Sequence, residues 1–521
     1  MSDYDAIVVG GGHNGLVASF YLAQAGLNVA VLERRSFVGG ACATEELFDG
    51  YRVSSCAYIA WNLQEKVVSD MQLEAHGLHR TSIDPVPTLL FEDDQLLSIW
   101  ADVDRTKQEI ATICPADAER LEEWLELWER AAGIVHPFFL RQPPSMEEIR
   151  AHARAIGEEQ LMDRLLSVSI AELAGEFFTD PRIGAAMMLI CDVGDPYIPG
   201  SAWAEAWWHT NVPNGSVPSV VRGGMGAVTQ AMASAARDAG VRIRTDAEVE
   251  QILVHDGSAF GVRLADGEQI TAPVVLSNAD PKRTYLRLIA PGDLPDGFRA
   301  RVEQISTQAS YLKFHAILDR PLDLSPYLGD GFDPRYSTYV TLAPHGFDSY
   351  RKAWEEAQRG EPASEPVCHL QVPTAYDDTL TDRDGEVVSI WALYAPPRLA
   401  SGTWEERKEA VGEALIDYVV RFLPTFRRDI RDWELYTPAD IERRTAITDG
   451  CIRHIDMIPS QLYGQRPMPD AGYGSPIPGL WLCGNGTHPG GEVTGAPGHN
   501  AAQAVLEDLS RLVGTGTAVA S

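Results

Sequence analysis

The sequence predicts an α/β protein in which both ends of the chain build one domain, while the middle supplies a second, mixed α+β domain with a helical cap. Three patterns indicate this organisation. An apolar run, a glycine-rich turn and a helical pattern follow one another at the N-terminus. Two Asp-Gly pairs separate strand-like runs within residues 249–272. Near the C-terminus a strand-like run again leads into a glycine-rich loop and a helix, so the two chain ends are expected to share one site.

The N-terminal pattern predicts a Rossmann-type β-α-β unit that binds a dinucleotide. Residues 7–9 form a short apolar run, and Gly10, Gly12 and Gly15 occupy the G-x-G-x-x-G positions. Glycines at these positions allow a tight turn, close approach of a pyrophosphate and close packing of the helix. The helix is expected to end at Gly26, and its N-terminal amides favour a phosphate.

The second strand of the unit is expected at residues 29–32, and Glu33 follows it directly. An acidic side chain at this point accepts hydrogen bonds from the ribose of a bound dinucleotide. Residues 39–41 (Gly-Gly-Ala) offer another place where the backbone can approach a ligand. Residues 51–63 lack strict periodicity, and we expect the chain to cross near the cofactor here.

Residues 105–180 have a helical pattern that predicts the cap. Leu121, Trp124, Leu125 and Trp128 are spaced at i, i+3, i+4 and i+7, as expected for one buried helix face. The tryptophans are therefore expected in a core. A second helical stretch with alternating acidic and basic residues indicates a solvated outer side.

Residues 191–215 combine aromatic side chains with several prolines and glycines. Tyr197, Trp207 and His209 are the candidates here for the wall of a substrate pocket. Plain packing explains them equally well, because tryptophan and tyrosine are also common in cores.

The middle of the chain is expected to contain a helix and a small meander at residues 220–280, which returns to the first sheet. Strand-like runs at residues 305–400 and a helical run at residues 404–422 predict the second domain. The predicted boundaries assign residues 1–75, 215–300 and 450–521 to the cofactor domain and residues 76–214 and 301–449 to the substrate domain.

The composition excludes several classes of partner. The formal net charge of -31 argues against nucleic acid, which is itself a polyanion. No apolar run reaches bilayer length and no basic, apolar leader precedes the first strand, so membrane association is not expected beyond a peripheral one and a cytoplasmic location is predicted. The seven cysteines contain no C-x-x-C pair, and the histidines lack metal-binding spacing.

Taken together, these motifs resemble the FAD-dependent phytoene desaturase and amine oxidase superfamily. The closest branch is the phytoene-desaturase-related one that includes the pyridine nucleotide-disulphide oxidoreductase domain 2 proteins. The motifs that carry the resemblance are VVGGGHNG at residues 8–15, LER at 32–34, VGG at 38–40, RGGMG at 222–226, SNADP at 277–281, GTHPGG at 486–491 and VTGAPGHN at 493–500.

The resemblance implies FAD as the cofactor and assigns residues to it. The implied FAD-binding residues are Gly10, Gly12, Gly15, Glu33, Arg34, Gly39, Gly40, Ala41, Val249, Gly484, Asn485, Val493 and Thr494. The wider superfamily often has an acid where this chain has Asn485, which puts ribityl binding by that side chain in question.

His488 and Glu492 are the candidate catalytic bases, because they lie in the loop expected beside the flavin and can accept a proton. The alternative for each is a role in shaping the loop.

The function expected from the resemblance is oxidation of a C–C bond to C=C in an apolar or alicyclic substrate, with a neighbouring carbonyl as one option. An FAD amine oxidase, a flavin-dependent isomerase and a redox-silent flavoprotein remain alternatives. The expected partners are a small-molecule substrate and an electron acceptor such as oxygen or a quinone, and homodimer formation stays open.

Overall fold

The computed structural model describes residues 2–188, 194–209, 218–337, 339–469 and 471–514. The strands are β1 (Ala6–Val9), β2 (Val29–Leu32), β3 (Thr44–Phe48), β4 (Tyr51–Ser54), β5 (Arg80–Ser82), β6 (Thr88–Leu90), β7 (Leu96–Ser98), β8 (Ser219–Val221), β9 (Arg242–Arg244), β10 (Val249–His255), β11 (Ser258–Leu264), β12 (Gln269–Thr271), β13 (Val274–Ser277), β14 (Ser310–Leu318), β15 (Tyr339–Leu342), β16 (Val367–Gln371), β17 (Glu386–Ala395), β18 (Ile430–Tyr436) and β19 (Leu480–Leu482). The helices are α1 (His13–Gln24), α2 (Glu65–Asp70), α3 (Val103–Ile113), α4 (Pro115–Ala118), α5 (Leu121–Val135), α6 (Met146–Ala155), α7 (Glu159–Ser167), α8 (Ile170–Gly175), α9 (Pro181–Ala186), α10 (Ser201–Ala206), α11 (Gly226–Asp238), α12 (Pro281–Arg283), α13 (Phe298–Glu303), α14 (Ser325–Leu328), α15 (Phe347–Gln358), α16 (Trp404–Val420), α17 (Phe426–Asp429), α18 (Pro438–Thr445) and α19 (Ala496–Gly514).

A parallel sheet in the order β19-β13-β1-β2-β9 joins both ends of the chain. Every residue of β1, β2 and β13 is buried, as expected for a parallel sheet that is covered on both faces. Helices α1, α11 and α19 share one apolar core on one face. The prediction that distant segments build one sheet is confirmed.

The predicted meander is the antiparallel sheet β10-β11-β12. Asp256 and Gly257 form its first turn with φ of 48° and 77°, the left-handed conformation that tight hairpin turns require. The meander packs on the second face of the parallel sheet, and β13 then returns to the sheet beside β1. This part of the prediction is also confirmed.

The second domain is built on a mixed sheet in the order β18-β14-β17-β16-β15-β6-β7. Its two faces differ. Leu312, Phe314 and Ala316 on β14 share an apolar core with α16. The alternate residues of β14 include Lys313 and His315, which are also buried but point to the opposite face. One side of this sheet is therefore a buried polar surface.

The helical cap confirms the predicted core tryptophans. Trp124 and Trp128 on α5 are 1% and 2% exposed, and their rings meet edge to face at 5.4 Å. The prediction for Leu125 is wrong, because this residue is 41% exposed. An α-helix turns by about 100° per residue, so Leu125 lies at the edge of the face that is centred between the two tryptophans.

The first four of residues 51–63, where the sequence shows no strict periodicity, form strand β4. Strand β4 pairs antiparallel with β3, and Phe48 lies opposite Tyr51 in the hairpin. The two strands are joined by Asp49-Gly50, with Gly50 at a φ of 79°, so the sequence does contain an Asp-Gly turn signal here, and it was missed. No helix in the described part of the chain is both long and apolar enough to span a bilayer.

Candidate active site

A cleft crosses the carboxyl ends of β1 and β2 and encloses about 840 Å³. Ligands of open α/β sheets bind at this edge. The predicted FAD residues along its walls are Gly10, Gly12, Glu33, Arg34, Gly39, Gly40, Ala41, Val249 and Asn485. The cleft therefore draws on the N-terminal, middle and C-terminal segments of the chain.

Four predicted FAD residues lie outside the walls of this cleft. Val493 lines a second cavity, which is described below. Thr494 accepts a hydrogen bond from the Ala496 amide at 3.1 Å and so helps to begin α19. A Cβ on Gly484 would lie 2.8 Å from the Asn278 carbonyl oxygen, and one on Gly15 would lie 2.3 Å from the Gly10 carbonyl oxygen. These two glycines allow close packing of the loops that form the cleft.

The glycine-rich turn fits a pyrophosphate. Gly10 has a φ of 98°, which turns the chain out of β1 and into α1. Helix α1 begins at His13, and no side chain caps its first turn, which also contains no acidic residue. Its N-terminal amides and dipole are thus left for an anion.

Glu33 and Arg34 directly follow β2 and make different contacts. The Glu33 carboxylate accepts hydrogen bonds from the Gly11 and Arg35 amides, each at 2.8 Å. These contacts hold the carboxylate at the wall of the cleft. The Arg34 guanidinium instead donates to the Arg443 and Arg444 carbonyls at the end of α18.

His13 and Asn485 stand between the cleft and a second cavity. The Asn14 side-chain amide donates to Asn485 Oδ1 at 2.6 Å, and the Asn485 side-chain amide donates to the Glu492 carbonyl at 3.3 Å. Burial lowers the pKa of His13 to about 4, so its imidazole is neutral at pH 7. Its Nε2 atom is buried without a hydrogen-bond partner among the described residues, as expected for an atom that contacts a cofactor.

The second cavity, called here the inner chamber, has a volume of about 490 Å³, part of which is open to solvent. It shares His13, Ala41, Ile452 and Asn485 with the cleft, so the two spaces adjoin. The other residues of its wall are Cys42, Cys56, Ala57, Tyr58, Ile59, Trp391, Arg453, Glu492 and Val493. A cofactor that extends along the cleft would therefore direct its distal end toward this chamber.

Glu492 lies in the wall of the inner chamber and is ion-paired with Arg453. The Arg453 side chain is 3% exposed and also donates to the Tyr311 hydroxyl at 2.6 Å. If Glu492 took up a proton, Arg453 would lose its buried counter-charge, which is unfavourable. The pair therefore favours a positioning role for Glu492.

His488 lines neither cavity. Its Nε2 donates to the Phe138 carbonyl at 2.7 Å, because a carbonyl can only accept. Burial lowers the pKa of His488 to about 4. The Tyr473 hydroxyl in turn donates to the His488 carbonyl at 2.5 Å. His488 thus connects the C-terminal loop to the cap.

Tyr197, Trp207 and His209, the candidates from the aromatic segment, line neither cavity. Tyr197 is 37% exposed, and its hydroxyl donates to Asp348 at 2.8 Å. Trp207 is buried and donates from Nε1 to the Pro489 carbonyl at 2.8 Å. The His209 ring stacks on Trp128 with a centroid separation of 4.3 Å. Residues 189–193, which include Cys191, and residues 210–217 lie outside the described residues.

Sequence reasoning missed Lys313, which lies behind the wall of the inner chamber. Its Nζ atom is 4.7 Å from the centroid of the Tyr58 ring. The residue is 2% exposed, and desolvation lowers the pKa of its ammonium group to about 7. A lysine within an apolar strand pattern was the available signal, because a buried lysine needs a specific environment.

The whole chain is similar to known flavoproteins. The model of the flavin-containing amine oxidoreductase family matches residues 15–506. Pyridine nucleotide-disulfide oxidoreductase domain-containing protein 2 of Mus musculus is 32% identical over 98% of this chain and 94% of its own length. A limonene dehydrogenase subunit of Castellaniella defragrans is 29% identical over 97% of this chain and 95% of its own. The structure of cyclohexylamine oxidase from Brevibacterium oxydans has a TM-score of 0.59 at 18% identity and covers 98% of this chain and 100% of its own.

The glycine turn, the unpartnered His13 nitrogen and the adjoining cavities fit FAD, and the family match covers all three parts of the site. The chain belongs to the flavin-containing amine oxidoreductase family, in the branch of the pyridine nucleotide-disulfide oxidoreductase domain 2 proteins, and it is an FAD-dependent oxidoreductase.

Proposed function

We propose that the protein is a desaturase that introduces a C=C bond into an apolar or alicyclic substrate. The observation that carries this proposal is the inner chamber, which adjoins the FAD cleft and has a largely apolar and aromatic wall. Ile59, Trp391 and Val493 are among its residues. Glu492, the acidic residue of the described wall, is neutralised by Arg453. Such a space favours an uncharged substrate over an ionic one.

The full-length similarity to the limonene dehydrogenase subunit supports the same reaction class. That protein is named as part of a dehydrogenase, and the similarity extends through the cleft, the chamber and the cap. The likeness to cyclohexylamine oxidase, at 18% identity, supports only the fold.

When bound, FAD supplies the acceptor for a hydride. The protein must then take a proton from the neighbouring carbon. Lys313 is our proposed final proton acceptor, because its Nζ lies 4.7 Å from the centroid of the Tyr58 ring in the chamber wall and its pKa of about 7 suits proton transfer near neutral pH. His13 and His369, with a pKa of about 4 and about 3 respectively, are weaker bases.

Amine oxidation is the second candidate, because the aromatic wall can bind a cation through Tyr58 and Trp391. Two observations weigh against it. Arg453 already lies 5.2 Å from the Trp391 ring centroid, and Lys313 lies on the Tyr58 ring. Side-chain nitrogens of the protein therefore already occupy these two rings, which leaves less of the aromatic wall for a substrate cation.

Anaerobic reduction of the bound FAD by three probe substrates tests the proposal. The probes are a saturated cyclic ketone, a long-chain polyene and a secondary amine. We expect the visible flavin band to bleach with a carbon substrate and to persist with the amine. Bleaching by the amine alone would replace the desaturase with an amine oxidase. Product formation without any bleaching would favour an isomerase.

A further inference from the structure

The buried polar face of the seven-stranded sheet forms the back of the inner chamber. Lys313, Trp391, His369 and Thr341 lie side by side in register on β14, β17, β16 and β15. Each is at most 6% exposed. Polar groups are rarely buried at this density without partners, because each unpaired group costs free energy.

Trp391 is the member of this row that reaches the chamber wall. Its ring contacts Tyr58, Tyr311 and His369 at centroid separations of 5.4, 4.7 and 5.5 Å, so its orientation is restrained on several sides. Its Nε1 atom is buried and has no hydrogen-bond partner among the described residues. An indole N–H can only donate, so its partner must be an acceptor.

The hydroxyls of Tyr58 and Tyr339 offer a second hydrogen-bond donor near Trp391. The Tyr58 and Tyr339 hydroxyls are 3.2 Å apart, and this contact uses only one of their two hydrogens. Burial raises the pKa of Tyr58 well above its ordinary value, so the phenol stays protonated. The other hydroxyl hydrogen remains for an acceptor within the same cluster.

The charges of the chamber indicate what kind of acceptor fits. Arg453 is already paired with Glu492 and bound to Tyr311. A substrate carboxylate would compete with Glu492 for Arg453 and would be repelled by the Glu492 carboxylate. An uncharged oxygen neither competes with Glu492 for Arg453 nor is repelled by the Glu492 carboxylate. A carbonyl oxygen is such a neutral acceptor.

We propose that the inner chamber binds a carbonyl-bearing substrate through the Trp391 indole N–H, so that the substrate is a saturated carbonyl compound and not a pure hydrocarbon. This inference rests on the proposed desaturase function.

The position of such a carbonyl also suits the chemistry. The carbon next to the carbonyl gives up a proton, for which Lys313 behind the Tyr58 ring is the final acceptor, while the electron pair of that C–H bond is delocalised onto the carbonyl oxygen. A donor at that oxygen stabilises the developing negative charge. Bound FAD would supply the acceptor for a hydride from the next carbon, which leaves an α,β-unsaturated carbonyl. The substrate loses one proton and one hydride, and the cofactor gains two electrons.

The test compares 2-decalone with decalin, its hydrocarbon counterpart, on the FAD-loaded full-length protein and on Trp391→Phe. Binding is followed by the perturbation of flavin absorbance, which does not require turnover, and anaerobic flavin reduction is followed in parallel. We expect the wild type to bind the ketone at least about tenfold more tightly than the hydrocarbon, and Trp391→Phe to lose most of that preference. Tyr327→Phe is the control, because its hydroxyl binds the Phe91 and Phe422 carbonyls and it lines neither cavity.

Equal binding of ketone and hydrocarbon, or a preference that survives Trp391→Phe, overturns the inference. A shift of the flavin spectrum or of FAD affinity in Trp391→Phe, with the ketone preference intact, also overturns it, because the indole would then serve the cofactor. Reduction by decalin at the rate of the ketone removes the carbonyl requirement but leaves the desaturase proposal standing. Reduction by the amine probe alone removes the desaturase proposal itself.

Discussion

Glu33 has both carboxylate oxygens bound to backbone amides at the end of β2. In Glu33→Gln the side chain would present an N–H to one of these amides, and it would lose the charge that strengthens a hydrogen bond to a ribose. We expect FAD to bind about tenfold to hundredfold more weakly, as measured by titration of flavin fluorescence. Glu250→Gln, on the exposed side of β10, is the control. Unchanged affinity in Glu33→Gln would exclude this residue from the cofactor site.

The proposed role of Lys313 predicts how the rate of anaerobic flavin reduction depends on pH. Burial places its pKa near 7, below the ordinary lysine value, and only the unprotonated amine can accept a proton. The rate of anaerobic flavin reduction should therefore rise with pH through an inflection near pH 7. The groups that face the amine are Cys56, Tyr58, His315 and His369.

Lys313→Met should lower this rate by about 10²- to 10⁴-fold and remove the inflection, while FAD remains bound. The rapid-mixing rate across pH 5.5–9 is the measurement. Persistence of the inflection in Lys313→Met would assign it to another group.

At the scale of elements, the C-terminal loop that carries Glu492 depends on the buried Arg466. This side chain is fully buried and donates to several main-chain carbonyls. The acceptors are Arg453, Ile455, Asp456, Gln461 and Asn485. Desolvation lowers the pKa of Arg466 to about 9, which leaves it charged at neutral pH. Arg466 thus connects the C-terminal loop to the segments that carry Arg453 and Asn485 in the wall of the inner chamber.

Arg466→Met should destabilise this arrangement by at least ~3 kcal/mol, because several buried carbonyls lose their donor. We expect a lower thermal midpoint and loss of FAD during gel filtration. Arg421→Met is the matched control, since Arg421 pairs with Glu92 and Glu365 at a solvent-exposed site. Equal midpoints for the two variants would contradict the role of Arg466.

The elements differ in how well the sequence predicts them. The β-α-β unit and the meander depend on short-range signals, namely glycines at fixed spacing and Asp-Gly turns, and both predictions are confirmed. The row that contains Lys313 and Trp391 depends on the register between β14 and β17, which are far apart in the chain. No local sequence pattern encodes that strand pairing, so the polar face of the chamber could not be predicted from the sequence.

The aromatic segment at residues 191–215 likewise makes contacts with distant parts of the chain that its own sequence does not predict. Pro489 and Trp207 meet through a hydrogen bond, but their contact follows from the docking of the cap onto the C-terminal loop. The composition of this segment alone did not distinguish a role in a pocket wall from plain packing. The structure places Tyr197, Trp207 and His209 outside the walls of both cavities.

At the scale of the whole molecule, the FAD cleft connects segments from both ends and the middle of the chain. Binding of FAD should therefore stabilise the entire protein, by about 2.7 kcal/mol at a free concentration of one hundred times the dissociation constant. Thermal unfolding across an FAD titration measures this effect. FMN, which lacks the adenosine half, should stabilise less, and an equal effect of FMN would contradict the role of the β1–β2 edge.

The proposed desaturase removes two hydrogens from adjacent carbons of an uncharged substrate, one of them as a hydride to FAD. A single anaerobic turnover with 2-decalone, with the flavin spectrum and the product mass recorded on the same sample, tests it most directly. We expect one equivalent of reduced FAD for each equivalent of enone, whose mass is lower than that of the ketone by two hydrogens. A product of unchanged mass with oxidised FAD, or reduction of FAD by the secondary amine alone, would contradict it.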